Sequence, residues 1–131
     1  RALLERGDEV MVLAPTDAHR PKLEAMGCKV YDLPMDRNGT APLAEAQLLW
    51  CIYRFLRKER PDFVFSYTIK NNIYAGLSCR WLGIAIVPNV TGLGPAFNGS
   101  GALNHFISRL YRSAFVNVDP VFFQKIDDLR L

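Results

Sequence analysis

One apolar run, Asp62-Phe63-Val64-Phe65-Ser66-Tyr67, passes directly into a polar string, Thr68-Ile69-Lys70-Asn71-Asn72-Ile73-Tyr74. The composition of the run predicts a strand, and the string that follows it predicts the start of a helix. A second apolar run, residues 84–90, leads in the same way into Asn89-Val90-Thr91-Gly92-Leu93-Gly94. Ligands of alternating α/β sheets bind outside the carboxyl ends of parallel strands. The two polar strings therefore predict a single site.

Strands and helices are predicted to alternate along the whole chain. Short apolar runs bounded by Pro or Gly predict strands over residues 9–14, 29–33, 62–67, 84–90 and 118–124. Helical spacing and stop signals predict helices over residues 18–26, from 40 or 42 to about 60, 69–82 and 103–115. Residues 36–40 and 92–101 carry turn chemistry and are expected to be loops. This order predicts an α/β fold, a parallel sheet with helices on both faces.

The composition is that of a folded domain. The chain has 131 residues, of which 50% are hydrophobic and 22% are charged, which excludes disorder. A net charge of +3 is too small to indicate nucleic-acid binding, and no apolar run approaches the ~20 residues that span a bilayer. The three cysteines form no CxxC pair, which predicts buried, reduced thiols and a cytoplasmic protein.

Lys70 is the main candidate for binding an anion, because it lies at a predicted helix start where free N–H groups favour negative charge. Thr68, Asn71 and Asn72 add hydrogen-bonding groups, so the set suits phosphate, diphosphate or sugar hydroxyls. The alternative is a solvated Lys70 on the first turn, with Thr68 as a plain N-cap. The string Thr91-Gly92-Leu93-Gly94 allows a ligand close to the backbone, or is simply a flexible loop.

Other chemistry is not indicated. His19 and His105 have no partners at the spacing of metal ligands, so no metal site is expected. Asp127 and Asp128 form a carboxylate pair near the predicted end of the sheet, although a solvated chain end is the favoured interpretation.

The helix predicted to end near residue 60 has two faces. Its apolar face, expected to pack on the sheet, comprises Leu48, Leu49, Ile52, Phe55 and Leu56, and its polar face comprises Gln47, Arg54, Arg57 and Lys58. Trp50 falls on the polar face. We interpret it as a ring packed beneath Arg54; the alternative is an interfacial membrane contact.

Several motifs together resemble a known family. The chain resembles the N-terminal domain of family-4, GT-B-type retaining glycosyltransferases, and within them the bacterial group that extends lipid-linked glycans. The resemblance covers nearly the whole chain in the right order and rests on Leu3 to Val10, Ala14-Pro15, Lys22 to Gly27, Tyr67 to Tyr74, Asn89 to Gly94, and Phe123 to Asp128.

The resemblance implies a Rossmann-like half of a two-domain enzyme that transfers a sugar from a nucleotide-sugar donor, which is a substrate and not a cofactor. This half would hold the acceptor, often an undecaprenyl-diphosphate sugar, so peripheral membrane contact is expected and nucleic acid is not. Lys70 would meet phosphate or acceptor oxygens. The substrate-binding candidates are Thr68, Lys70, Asn71, Asn72, Tyr74, Thr91, Gly92, Leu93 and Gly94.

The chain departs from the family pattern at Asp8, Tyr67, Asn71, Thr91 and Lys125. Tyr67 and Thr91 stand where the wider family often has His, so no catalytic residue is assigned. Asn71 replaces a Pro that would have pre-set the helix start.

The resemblance also implies that 131 residues are part of a longer protein. The family's first strand and its Gly-rich turn would precede Arg1, with that strand between the strands of residues 9–14 and 62–67, and a donor domain would follow. We therefore expect an incomplete Rossmann-like domain, unstable or rearranged alone and without transferase activity. Two alternatives stay open: a UDP-sugar 2-epimerase fragment, which would be expected to show catalytic carboxylates and a His, and a non-catalytic binding module.

Overall fold

The computed structural model describes residues 1–35, 41–91, 102–116, 118 and 121–123, in which helices and strands alternate as predicted. In chain order the elements are α1 (Ala2–Glu5), β1 (Met11–Ala14), α2 (Arg20–Ala25), β2 (Lys29–Asp32), α3 (Pro42–Glu59), β3 (Phe63–Tyr67), α4 (Ile69–Leu82), β4 (Ala85–Val90), α5 (Ala102–Ala114) and β5 (Phe122–Phe123). The predicted extent of α4 is confirmed. β1 and α2 are shorter than predicted, and β5 begins at Phe122, later than the predicted residue 118, while its predicted end at residue 124 lies outside the described residues.

The described strand pairs are all parallel, which confirms the predicted sheet type. β1 pairs with β2, and β4 lies between β3 and β5 in a separate sheet. The chain divides into two compact units, Arg1–Leu48 and Leu49–Leu131, with one sheet in each. The additional strand expected between β1 and β3 stays a prediction.

The core of the second unit joins α4, β4 and α5. Ile73, Val90 and Tyr111 are buried together, one from each element. Packed against them are the partly buried side chains Ile69, Tyr74, Leu77, Leu110, Phe115 and Val121. Helices α4 and α5 approach closely where Gly76 faces Ala114: a Cβ on Gly76 would lie 2.9 Å from the Ala114 Cβ. A residue without a side chain therefore sets how near the two helices lie.

Helix α4 ends at Gly83, as the sequence predicts. Gly83 adopts the left-handed conformation, with φ 68° and ψ 32°, which costs glycine little. The N–H of Ile84 then donates to the carbonyl of Cys79 at 2.9 Å, and the Arg60 guanidinium donates to the carbonyl of Leu82 at 3.2 Å. These bonds occupy carbonyls at the helix end and fix the point where β4 begins.

The predicted two faces of α3 are confirmed. Leu48, Ile52 and Leu56 are buried, whereas Arg54 and Arg57 are exposed. Trp50 also lies on the exposed side, with 58% of its surface accessible. Across the ranges that the structure describes, no helix has the length and apolar character needed to cross a lipid bilayer.

Candidate functional site

The two polar strings leave the sheet at the same edge. β3 and β4 run parallel, and their register places Tyr67 beside Asn89 at the carboxyl ends of the two strands. Thr68 follows β3 directly and Thr91 follows β4 directly. The prediction that the strings adjoin is therefore confirmed as far as Thr91. The predicted site residues Gly92, Leu93 and Gly94 lie outside the described residues.

Thr68 turns the chain sharply from β3 into α4. Its backbone has φ 71° and ψ 154°, a combination otherwise favoured almost only by glycine, and strain of this kind costs about 1–3 kcal/mol. Thr68 is the N-cap residue of α4, as the alternative interpretation had it, but its side chain makes no capping hydrogen bond. The backbone carbonyl of Thr68 instead accepts from the N–H of Asn72 at 2.9 Å. The exposed Thr68 hydroxyl is thus not committed to capping the helix.

Asn72 is a fully buried polar hub, with 0% of its surface exposed. Its carbonyl oxygen accepts from the Ser66 hydroxyl at 2.8 Å, and its amide nitrogen donates to the Asn89 carbonyl at 3.1 Å and to the Tyr111 Oη at 3.4 Å. These bonds join the ends of β3 and β4 to α5. The amide of Asn72 therefore connects the ends of β3 and β4 to α5 by hydrogen bonds. The sequence analysis instead predicts a substrate-binding role for this residue.

Two other amide oxygens at this edge are left without a donor. The Oδ1 atoms of Asn71 and Asn89 are buried, and no hydrogen-bond donor reaches them among the described residues. Leaving a buried acceptor unpaired costs about 1–3 kcal/mol, so such groups in native proteins have a reason to persist. Each of these oxygens can accept a hydrogen bond from a hydroxyl group that reaches it.

The remaining predicted residues divide between surface and core. Lys70 is half-buried in the first turn of α4, where its positive charge adds to that of the helix N-terminus. Thr91 is exposed beyond the end of β4. Tyr74 packs against the core formed by Ile73, Val90 and Tyr111. Thr68, Lys70, Asn71 and Thr91 are therefore the described candidates best placed to meet a ligand.

Sequence reasoning did not identify Ser66 and Tyr111 as parts of this edge, and it included Asn89 in the second polar string without naming it as a substrate-binding candidate. Ser66 offered a signal, because it is a polar residue in an otherwise apolar strand, and it is buried in the structure. Tyr111 offered none, since an aromatic residue at helical spacing is typical of a core position.

Cys79 on α4 does not contribute a nucleophile to this edge. All three cysteines are free thiols, as predicted, but only Cys79 is buried, whereas Cys28 and Cys51 are partly exposed, contrary to the prediction. Cys79 is fully buried, and desolvation raises the pKa of its thiol from 9.0 to about 12. The thiol is therefore protonated at neutral pH, and only a thiolate attacks efficiently.

The sequence matches a known protein family and a characterised relative. The family model described as "Glycosyl transferase 4-like domain" matches residues 1–125. The N,N'-diacetylbacillosaminyl-diphospho-undecaprenol alpha-1,3-N-acetylgalactosaminyltransferase of Campylobacter jejuni is 28% identical over 120 residues, which are 88% of this chain and 32% of that relative. The chain thus spans about a third of the length of the curated relative it matches.

Two solved structures share the fold. MurG of Acinetobacter baumannii superposes with a TM-score of 0.60 at 20% identity, over 96% of this chain and 35% of MurG. A putative UDP-N-acetylglucosamine 2-epimerase from Listeria monocytogenes has the same TM-score of 0.60 and 20% identity, over 93% of this chain and 33% of the epimerase. Both confirm the α/β fold class. Because the two scores are equal, the fold does not choose between transfer and epimerisation.

Proposed function

This chain belongs to the family of glycosyl transferase 4-like domains, and from that membership we propose that it is the N-terminal, acceptor-side domain of a sugar transferase. The whole enzyme moves a sugar from a nucleotide-sugar donor to a lipid-linked glycan acceptor during synthesis of a cell-surface glycan. The donor is a substrate, and the proposal invokes no metal.

The observation that carries this proposal is the polar edge formed by the adjacent ends of β3 and β4. Lys70 and the N-terminus of α4 supply positive charge, which suits the diphosphate of a lipid-linked sugar. The unpaired Oδ1 atoms of Asn71 and Asn89 supply acceptors, which suit sugar hydroxyls. One ligand with both chemistries, a sugar diphosphate, satisfies all of these groups.

The Campylobacter relative is about three times as long as the part that matches this chain, which supports placing the donor site in another part of the whole protein. The chain corresponds to 32% of the Campylobacter transferase, whose name gives a diphospho-undecaprenol-linked acceptor. We therefore place the donor-binding domain in the rest of a longer protein, which acts as a peripheral enzyme at the cytoplasmic face of a membrane. The 131-residue chain alone is expected to be inactive, and turnover of a UDP-sugar by it would contradict this arrangement.

Substitution of Lys70 tests the acceptor site in the full-length transferase. Lys70→Gln removes the charge and keeps most of the length, so the KM for a diphosphate acceptor should rise about ten- to a hundredfold, the range expected for a lost charged hydrogen bond. The KM for the nucleotide sugar should not change. Lys22→Gln, at an exposed position on α2, is the matched control. Equal acceptor KM values for Lys70→Gln and Lys22→Gln would remove Lys70 from the site.

A UDP-sugar 2-epimerase is the second candidate, because the Listeria epimerase superposes as well as MurG does. The two functions differ in their need for an acceptor. Incubation of the full-length protein with UDP-N-acetylglucosamine alone should leave the sugar configuration at C2 unchanged, as followed by proton NMR. Appearance of the C2 epimer without an acceptor would replace the transferase proposal.

A further inference from the structure

Thr68 keeps a strained backbone at a position where glycine would not be strained. Its φ of 71° and ψ of 154° lie in a region that a β-branched residue scarcely enters. Strain of this kind persists only where the surrounding structure fixes it, and it is concentrated at functional sites. The structure around Thr68 therefore has to hold the turn between β3 and α4 in place.

A buried hydrogen bond closes the turn around Thr68. The hydroxyl of Ser66, which precedes Thr68, donates to the Oδ1 of Asn72, which follows it, at 2.8 Å. Both side chains are buried, with 5% and 0% of their surfaces exposed, so water does not compete for this bond. The backbone N–H of Asn72 also donates to the Thr68 carbonyl at 2.9 Å. The chain is thus fixed on both sides of the strained residue.

The side-chain amide of Asn72 is itself held by two acceptors. Its nitrogen donates to the Asn89 carbonyl at 3.1 Å and to the Tyr111 Oη at 3.4 Å. The Asn89 carbonyl decides the orientation of the amide, because only the nitrogen end can donate to a carbonyl. Tyr111 is 5% exposed, and its ring meets that of Phe115 edge-on, with centroids 4.5 Å apart. A packed core position on α5 therefore helps to fix the turn between β3 and α4.

The Thr68 hydroxyl is available at the open side of this turn. Thr68 is exposed, and its side chain does not cap α4. Among the residues that the structure describes, none forms a hydrogen bond with this hydroxyl. Phosphate oxygens accept hydrogen bonds from hydroxyl groups, so the diphosphate of the proposed acceptor is a suitable partner.

We propose that Ser66, Asn72 and Tyr111 are positioning residues, which hold Thr68 in its strained conformation so that the Thr68 hydroxyl binds a phosphate oxygen of the acceptor. Relaxation of the turn would move this hydroxyl and the first N–H groups of α4 away from the ligand. The inference rests on the proposed function in that it takes a diphosphate-linked acceptor as the ligand. The coupling between the buried hydrogen bonds and the turn is measurable without any acceptor.

Substitutions of Thr68 in the full-length transferase separate the role of its hydroxyl from that of its backbone. Thr68→Ala and Thr68→Gly remove the hydroxyl and should raise the acceptor KM about tenfold, whereas Thr68→Ser keeps the hydroxyl and should leave this KM unchanged. The KM for the nucleotide sugar should stay constant in all three. Thr68→Gly also relieves the strain, so this variant should unfold at a higher urea concentration than the wild type. A lower urea midpoint for Thr68→Gly, or equal acceptor KM values for Thr68→Ala and Thr68→Ser, would contradict the proposal.

Removal of single hydroxyl groups tests the positioning residues. Tyr111→Phe keeps the buried ring and removes the acceptor for the Asn72 amide, and Ser66→Ala removes the donor to the same amide. Each substitution lets the turn relax, so each should raise the acceptor KM about tenfold. The KM for the nucleotide sugar should not change, which separates a positioning role from a general loss of folded enzyme.

Two residues outside these hydrogen bonds provide matched controls. Tyr53→Phe removes a hydroxyl from α3. The Tyr53 ring stacks on Trp50, with centroids 5.8 Å apart, where the sequence analysis favoured a contact between Trp50 and Arg54. Ser78→Ala removes a hydroxyl from the fully buried Ser78 of α4, for which no described residue is a hydrogen-bond partner.

Both controls should keep the acceptor KM of the wild type. If either Tyr111→Phe or Ser66→Ala has the same acceptor KM as its control, the positioning role is overturned.

Combination with Thr68→Gly shows whether the buried hydrogen bonds act through the strained turn. Glycine adopts this turn without support, so Ser66→Ala should no longer raise the acceptor KM in the Thr68→Gly background. Ser66→Ala should also lower the urea midpoint more in this background than in the wild type, because only the wild-type turn loses strain when it is released. Additive effects on either quantity would show that the hydrogen bonds stabilise the fold without positioning Thr68, which contradicts the proposal.

Failure of this proposal is distinguishable from failure of the proposed function. If the wild type transfers sugar but the urea midpoints are additive, the positioning role is refuted and the proposed function stands. If the wild type transfers no sugar, the proposed function is refuted, and the urea midpoints still decide whether Ser66 acts through Thr68.

Discussion

Two neighbouring asparagines at the start of α4 have opposite surroundings. Asn72 is fully buried, and its amide meets Ser66, Asn89 and Tyr111. Asn71, one residue earlier, is only partly buried, and its Oδ1 has no donor among the described residues. A helix turns about 100° per residue, so adjacent side chains point in different directions. The same residue type is therefore part of the scaffold at position 72 and a candidate ligand group at position 71.

Alanine substitutions should separate these two roles. Asn72→Ala leaves buried polar partners unpaired and should lower the free energy of unfolding by about 2–4 kcal/mol. Asn71→Ala removes a buried, unsatisfied oxygen and should raise the free energy of unfolding by up to about 1–3 kcal/mol, while weakening acceptor binding. Urea denaturation and acceptor KM of the full-length protein measure the two effects. A large loss of stability in Asn71→Ala, or none in Asn72→Ala, would reverse the assignment.

Burial of Cys79 predicts an alkaline limit to stability. The pKa of this thiol is raised to about 12 in the folded protein, against 9.0 when it is unfolded, so only the unfolded state releases the proton between these values. The stabilisation of the folded state by this protonated thiol is fully present below pH 9 and is lost as the pH rises towards 12.

Burial of Cys79 also predicts the order in which the cysteines react. Iodoacetamide at pH 8 to 9 should modify Cys28 and Cys51, which are partly exposed, before Cys79. Mass spectrometry of the alkylated peptides checks this order, and early modification of Cys79 would contradict it.

Among the elements, α4 could be predicted in full because both of its boundaries have local causes. The strand ends at Tyr67, the chain turns at Thr68, and Gly83 terminates the helix. The start of β5 could not be predicted in this way, because it depends on pairing with β4, which local sequence does not encode. The contact between the rings of Trp81 and Tyr53 was not predicted for a related reason, because Tyr53 lies on another helix, 28 positions earlier in the sequence.

The packing of α4 on α5 predicts that Gly76→Ala destabilises the protein. A Cβ at this position would lie 2.9 Å from the Ala114 Cβ and 3.0 Å from the Ala114 backbone oxygen, so the helices must separate. Overpacking costs about 1–3 kcal/mol, whereas alanine gains about 1 kcal/mol of helix propensity, which leaves a net loss of up to about 2 kcal/mol.

Ala114→Gly provides the control for this crossing. The double variant Gly76→Ala/Ala114→Gly removes the contact between the two Cβ atoms and should recover part of the stability that Gly76→Ala loses, as measured by urea denaturation. The close Ala114 backbone oxygen prevents full recovery. Purely additive losses in the double variant would show that the two residues do not interact, and would contradict the close approach of α4 and α5.

At the scale of the whole molecule, the sequence predicted the fold class because strand and helix signals alternate, and that alternation is sufficient for a parallel α/β arrangement. It did not predict that the described strands form two sheets in two units. Sheet membership depends on pairing between strands far apart in the chain, which no local pattern specifies. The site was predictable in its location, the ends of β3 and β4, but not in which side chains turn inward.

The division into two units predicts uneven stability within the 131-residue chain. Of the described buried apolar side chains, Leu33 and Leu48 belong to the first unit and the other ten to the second. In the described part of the first unit, the sheet consists of the two strands β1 and β2, and isolated strand pairs are marginally stable. Amides of β1 and β2 should therefore exchange hydrogen about a hundredfold faster than those of β3 and β4. Exchange followed by mass spectrometry measures both sheets at once, and equal protection would contradict the prediction.

The same measurement tests the strand expected between β1 and β3. If that strand pairs with both, a chain extended to include it should give β1 and β3 each a second neighbouring strand. The additional strand would then supply hydrogen bonds that the described strands do not make with each other. Exchange at β1 should then slow towards the rate of β3, while exchange at β4, already paired on both sides, should change little. Unchanged exchange at β1 in the extended protein would contradict the predicted position of the additional strand.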